Sequence, residues 1–294
     1  MLHDRNGFAV SRIATLGIAL TALWITAAPA GTSAAATAVA SGPSLTVSQI
    51  IDKNAAARGG VEAWRKIRTM AWTGHVERAD MPGPGMPFVL EQQRPNSTRF
   101  ELAIQNQRGL RIYDGTNGWK LRPSGGGTPN IQPFTADELN FAKDAQAIDG
   151  PLMEDVARDG VVSLIGIQEI EGRKAYALSV VMPSGATHRI WVDAETFMEI
   201  RFERDLRGAA GQPGVASVIY RNYKAFEGLQ LPTIIETGAA AGKPGNKLLI
   251  EKVALNPPLP ANTFTKPSVS MPHHGVAVDT RNPPSPGAFR PRSQ

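Results

Sequence analysis

Apolar residues along this chain fall mostly at every second position. The clearest run is Thr98 to Gln105, where Phe100, Leu102 and Ile104 alternate with Arg99, Glu101 and Ala103. A period of two puts one apolar face and one wet face on a β-strand. The same pattern recurs at Trp72/Val76, Phe88/Leu90, Leu110/Ile112, Ile190/Val192, Ile200/Phe202 and Leu229/Leu231/Ile235. Turn signals separate these runs: Pro95-Asn96, Asp114-Gly115, Glu171-Gly172, Pro183-Ser184-Gly185, Glu227-Gly228 and Pro244-Gly245. About twelve strands are predicted, most joined by links of hairpin length. Alternation with short links means an antiparallel sheet with one solvated face, because parallel pairing would require crossover helices.

Helical periodicity is confined to three places. Ser48 to Ala57 carries Ile50, Ile51 and Ala55 on one side and stops at Gly59-Gly60. Val61 to Ile67 adds one or two turns around Trp64. Pro133 to Asp159 interrupts the strands. Thr135 and Glu138 spell a capping box there, Leu139 and Phe141 supply apolar positions, and Gly150-Pro151 divides the segment. The predicted architecture is mainly β (α+β): a single strongly curved antiparallel sheet, an incomplete β-barrel of about 11–12 strands, covered by a few helices. So little helix over so large a sheet leaves an interior that is partly unfilled and apolar. The expected cavity wall includes Trp72, Phe88, Leu90, Phe100 and Leu102. Ile112, Trp119, Ile190, Ile200 and Phe202 complete it, although any of these could equally belong to a dry core.

The two ends of the chain read differently from this body. Arg5 and Arg12 precede an uncharged apolar run, Ile13 to Ala28, and then small residues suited to a signal peptidase. The run holds about 16 residues against the roughly 20 that span a bilayer. Residues 1–40 are therefore read as a cleaved secretory signal, with a retained anchor as the alternative. Residues 45–266 form the folded domain, and 267–294 a disordered proline-rich tail. The chain has no cysteine, so neither an N-terminal lipid anchor nor a disulfide is available, and a core must hold the fold.

The formal net charge of +5 is spread thinly. The leader accounts for +1, the tail for +2 and the body for +2, with no basic cluster of the kind nucleic acid requires. No histidine pair has zinc spacing and no G-x-S-x-G elbow occurs. Gly125-Gly126-Gly127 precedes prolines rather than a helix start, and Glu154-Asp155 and Asp144 read as a wet helix face. His75 falls on a polar strand face. His188 shares parity with Ile190, as a rim residue or a polar contact to a ligand head. His273-His274 lies in the tail. No catalytic residue, metal site or cofactor is assigned, so the expectation is a binding protein rather than an enzyme.

Several turn segments, in order, resemble one family. They are Ala57-Arg58-Gly59-Gly60-Val61-Glu62, Arg94-Pro95-Asn96, Tyr113-Asp114-Gly115 with Gly118-Trp119, Gly150-Pro151-Leu152, Val192-Asp193-Ala194-Glu195-Thr196, and Tyr223 with Gly228-Leu229 and Leu231-Pro232. Together they resemble the outer-membrane lipoprotein-sorting proteins of the LolA/LolB-like superfamily, over roughly residues 47–265. The resemblance implies a curved, incomplete barrel with helices as a lid and acyl chains held inside. It implies a soluble, monomeric periplasmic carrier for the acyl chains of a lipid or lipoprotein, moving toward the outer membrane. An envelope-stress sensor or adaptor, meeting a transient envelope protein partner, is the alternative. An unrecognised hydrolase is the third reading.

Overall fold

A computed structural model of the chain describes residues 45–104, 107–122, 130–145, 148–150, 152–153, 161–182, 184–207, 213–239 and 245–268. The leader, almost all of the proline-rich tail, the triple glycine and Glu154-Asp155 lie outside the described residues.

Two helices open the fold. Helix α1, Val47–Ala57, begins at Thr46, whose hydroxyl accepts from the Gln49 backbone N–H while the Gln49 side chain accepts from that of Thr46. Gly59 and Gly60, at φ of 110° and 88°, turn the chain into α2, Val61–Arg65. Six strands follow: β1 Thr69–Arg78, β2 Met81–Gln93, β3 Ser97–Ile104, β4 Gln107–Tyr113, β5 Gly118–Arg122 and β6 Asn130–Pro133. Helix α3, Ala136–Asp144, carries the predicted Thr135–Glu138 capping box. Seven more strands complete the sheet: β7 Val161–Ile170, β8 Arg173–Val181, β9 Thr187–Asp193, β10 Glu199–Arg207, β11 Pro213–Phe226, β12 Leu229–Ala239 and β13 Asn246–Leu255.

These form one 13-stranded sheet in the order β6-β5-β4-β3-β2-β1-β13-β12-β11-β10-β9-β8-β7. Every neighbouring pair is antiparallel. The chain meanders from the middle to one edge, crosses through α3 to the other edge, and meanders back. Strands β6 and β7 are consecutive in sequence yet stand at opposite ends, so the sheet is not closed into a barrel.

The contacts of α3 show how far the sheet curls. Glu138 pairs with Arg111 of β4, and Phe141 stacks under Arg204 of β10. Strands β4 and β10 are seven steps apart in the sheet, roughly 34 Å if it were flat. Three helical residues advance only about 4.5 Å. The sheet must therefore bend until these strands meet the same turn of α3. This is the incomplete barrel that the alternation and the scarcity of helices predict.

The inner face holds two joined clusters. The first draws on α1 and α2 (Ala55, Trp64), on Ile67 just after α2, and on β1–β3 and β11–β13. The second places Ile50 of α1 and Leu152 against Leu178, Val180, Ile190 and Val192. Phe202 packs against both. On the outer face, Glu91 is fully buried and Arg99 bridges it to Glu101. Close backbone approach is decisive at Gly118, where a Cβ would lie 2.0 Å from the Phe134 ring. That ring sits beneath the Arg111 guanidinium, 4.4 Å away. Gly118→Ala is expected to cost about 1–3 kcal/mol in a urea titration, because a buried ring must be displaced.

Candidate functional site

The candidate site is the inner face and its covers. Register decides which residues share that face. Trp72 pairs with Leu90, Leu90 with Phe100, Phe100 with Arg111, and Arg111 with Lys120. Directly opposed residues share a face, so this ladder runs along the inside. Trp72, Phe88, Leu90, Phe100 and Leu102 all lie in the first cluster, Ile190 in the second, and Phe202 between them.

Three expected wall residues lie elsewhere. Ile112 pairs with Arg99 and with Trp119, and Arg99 pairs with Glu91, so Ile112 and Trp119 belong to the outer face. The cause is the two-residue link between Ile104 and Gln107, which are themselves paired. Even-numbered residues of β3 therefore oppose odd-numbered residues of β4, and Arg111 takes the inner position. Ile200 is displaced by a bulge between Glu199 and Arg201. It packs with Ala175, Ala177 and Trp191, apart from Phe202.

The two covers are attached by different means. Helices α1 and α2 bury apolar side chains and are pinned by arginines. Arg58, at the end of α1, stacks on Trp64 at 4.6 Å, donates to the Asp149 carbonyl at 2.8 Å and pairs with Glu199 at 3.1 Å. Arg94 donates to the carbonyls of Ile67 and Trp64 and forms an ion pair with Asp149.

Helix α3 sinks no apolar side chain fully. Leu139 and Phe141 are half-buried, and Asp144 is its one buried residue. Polar latches hold it instead. Glu138 accepts from Arg111 at 2.9 Å and Lys120 at 2.7 Å. Asn96 donates to the carbonyls of Ala142 and Lys143 at 2.8 and 3.1 Å. Ser184 donates to Asp144 from both its hydroxyl and its backbone N–H. The helix thus bridges the open side of the sheet, tied to β4 and β5 at one end and to the β8–β9 turn at the other.

The electrostatics of this end are set by burial. Burial alone would push the Glu138 carboxyl up. The charge of Arg111 and hydrogen bonds from Lys120, the Thr135 backbone and Arg111 outweigh it and hold the pKa at about 2. Burial lowers His188 to about 4, helped by the Arg204 charge and opposed by Asp205, so the ring is neutral at neutral pH. Its ring meets Phe202 edge-on at 5.0 Å. Burial, then the charge of Arg111, lowers Arg204 to about 9, which leaves it charged at neutral pH. The sequence marked His188 but not Arg111, Lys120 or Arg204. Hairpin register was the signal that could have found Arg111.

Among the described residues no group of three or more His, Cys, Asp or Glu is placed to hold a metal ion, and no helix is long and apolar enough to cross a membrane.

No family model matches the chain, and no curated protein matches it. Solved structures do. A LolA superfamily protein from Nitrosomonas europaea is 18% identical, covering 76% of this chain and 99% of its own, with a TM-score of 0.48. An outer membrane lipoprotein-sorting protein domain from Vibrio parahaemolyticus is 10% identical, covering 74% and 95%, with a TM-score of 0.48. A DUF1329 family protein from Desulfovibrio piger is 10% identical, covering 74% and 96%, also at 0.48.

Proposed function

We propose that this chain is a non-enzymatic carrier of the bacterial envelope that holds the acyl chains of a lipid or lipoprotein against its inner sheet face. The observation that carries this reading is the contrast between the two covers. A continuous apolar wall runs from Trp72 through Phe100. The helix across the open side is fixed by ion pairs and side-chain hydrogen bonds, and only half-buries its own apolar residues. Such a cover can be displaced without exposing a packed core of its own. The leader and the order of turn motifs favour an exported protein whose cargo moves toward the outer membrane.

The energetics suit a carrier that must also release. Burying about ten methylenes at about 0.8 kcal/mol each gives on the order of 8 kcal/mol. Association and ordering costs reduce that, so micromolar or weaker affinity per acyl chain follows. Titration of the purified protein with a fluorescent fatty acid tests the reading. Saturable binding at micromolar or weaker affinity is expected, lost in Phe202→Glu and kept in Val181→Glu, since Val181 is an exposed strand residue paired with Thr187 on the outer face. Equal signals from all three proteins contradict it.

A further inference from the structure

Arg204 lies two residues beyond Phe202 on the same face of β10 and pairs with His188 across to β9, so it points to the inner face. It is buried, at 8% exposure. Its guanidinium carbon lies 3.5 Å over the Phe141 ring of α3. Among the described residues it makes no ion pair, and its Nη2 has no hydrogen-bond partner. Arg111, from the opposite half of the curled sheet, pairs with Glu138 one turn before Phe141 on α3, and its charge acts on Arg204. Arg111 and Lys120, both buried, share the single carboxylate of Glu138.

Three cations therefore gather under α3, and among the described residues Glu138 is the one carboxylate paired with any of them, since Asp144, also buried on α3, is engaged by Ser184. His188 adds no compensating charge. A buried guanidinium with an unmet donor is costly, and stacking on an aromatic ring offsets only part of that cost. The group that satisfies it best is an oxyanion, which matches the planar fork of arginine with two parallel hydrogen bonds. The neighbouring residue on the same strand face is Phe202, which touches both apolar clusters. An oxyanion at Arg204 would thus sit at the end of the apolar wall.

We propose that Arg204, supported by Arg111 and Lys120, is the headgroup site of the cavity, and that the cargo is an acidic amphiphile with a phosphate or carboxylate at Arg204 and its acyl chain along Phe202 and Phe100. This rests on the acyl-binding reading above and names the class of cargo. The test compares dodecyl phosphate, dodecanoate and dodecanol, which share one chain, with inorganic phosphate as a chainless probe, by calorimetry on the whole purified protein.

Wild type is expected to bind at least one acidic ligand about tenfold tighter than dodecanol. The stronger of the two identifies the head as phosphate or carboxylate. Arg204→Met removes the preference while keeping dodecanol affinity within about twofold and the melting temperature undiminished, because an orphaned cation is replaced by an apolar side chain. Arg204→Lys keeps the charge without the fork and retains part of the preference. If all three amphiphiles bind alike, or Arg204→Met keeps the preference, the headgroup site is wrong and the acyl wall stands. If inorganic phosphate binds as tightly as dodecyl phosphate, the site takes a free oxyanion and the amphiphile is overturned. If none of the amphiphiles binds, the acyl-binding reading falls with it.

Discussion

Glu199→Ala is expected to lower the unfolding free energy by about 3–5 kcal/mol, the largest effect of any single change considered. Glu199 and Arg58 are both buried, and their 3.1 Å pair joins the end of α1 to the start of β10. Truncation leaves the Arg58 guanidinium in place, still stacked on Trp64 and still donating to the Asp149 carbonyl, but without its carboxylate. Uncompensated burial of a charge is far costlier than the pair is favourable. The double variant Arg58→Met, Glu199→Leu should therefore recover most of the loss. Urea titrations of the three proteins check this. A loss below about 1 kcal/mol in the single variant would mean that Arg58 does not depend on Glu199.

The second large effect is pH-dependent and belongs to α3. The Glu138 carboxyl has a pKa of about 2 in the fold against an ordinary value of 4.5. The unfolded chain therefore takes up the proton first as pH falls. The stabilisation from this group is complete above pH 4.5 and is lost as pH drops through about 2. A difference of that size corresponds to about 3 kcal/mol at neutral pH. Glu138→Gln keeps the shape and loses the charge. Its stability deficit relative to wild type should be about 3 kcal/mol at pH 7 and roughly half that by pH 3. A deficit that does not change with pH would show that hydrogen bonding, not charge, latches the helix.

The architecture was legible because the alternation of apolar residues is strict. Phe100/Leu102/Ile104 and Ile190/Val192 fixed the strands, and short links fixed their antiparallel pairing. Thr135 and Glu138 marked the start of α3 without ambiguity. What parity could not carry was its own continuation across turns. The link between Ile104 and Gln107 exchanges odd for even, so apolar Ile112 faces outward while charged Arg111 faces inward. The bulge at Glu199 to Arg201 does the same to Ile200. In both places the hydrophobicity of a residue was a poor guide. The outer face is itself largely buried around Glu91 and Arg99, and the inner face accepts cations under α3. The cationic end of the site was hidden for the same reason, since arginines at apolar parity positions look like errors of register until the two halves of the sheet are seen to meet.

An acyl chain held on the inner face would be carried through purification. Native mass spectrometry of the protein purified from its producing cells tests this most directly, with organic extraction of the same sample. A bound population heavier than the bare chain is expected, which releases an acyl-bearing molecule on activation and is diminished in Phe202→Glu. A bare chain alone, which also fails to take up added fatty acid, would contradict it.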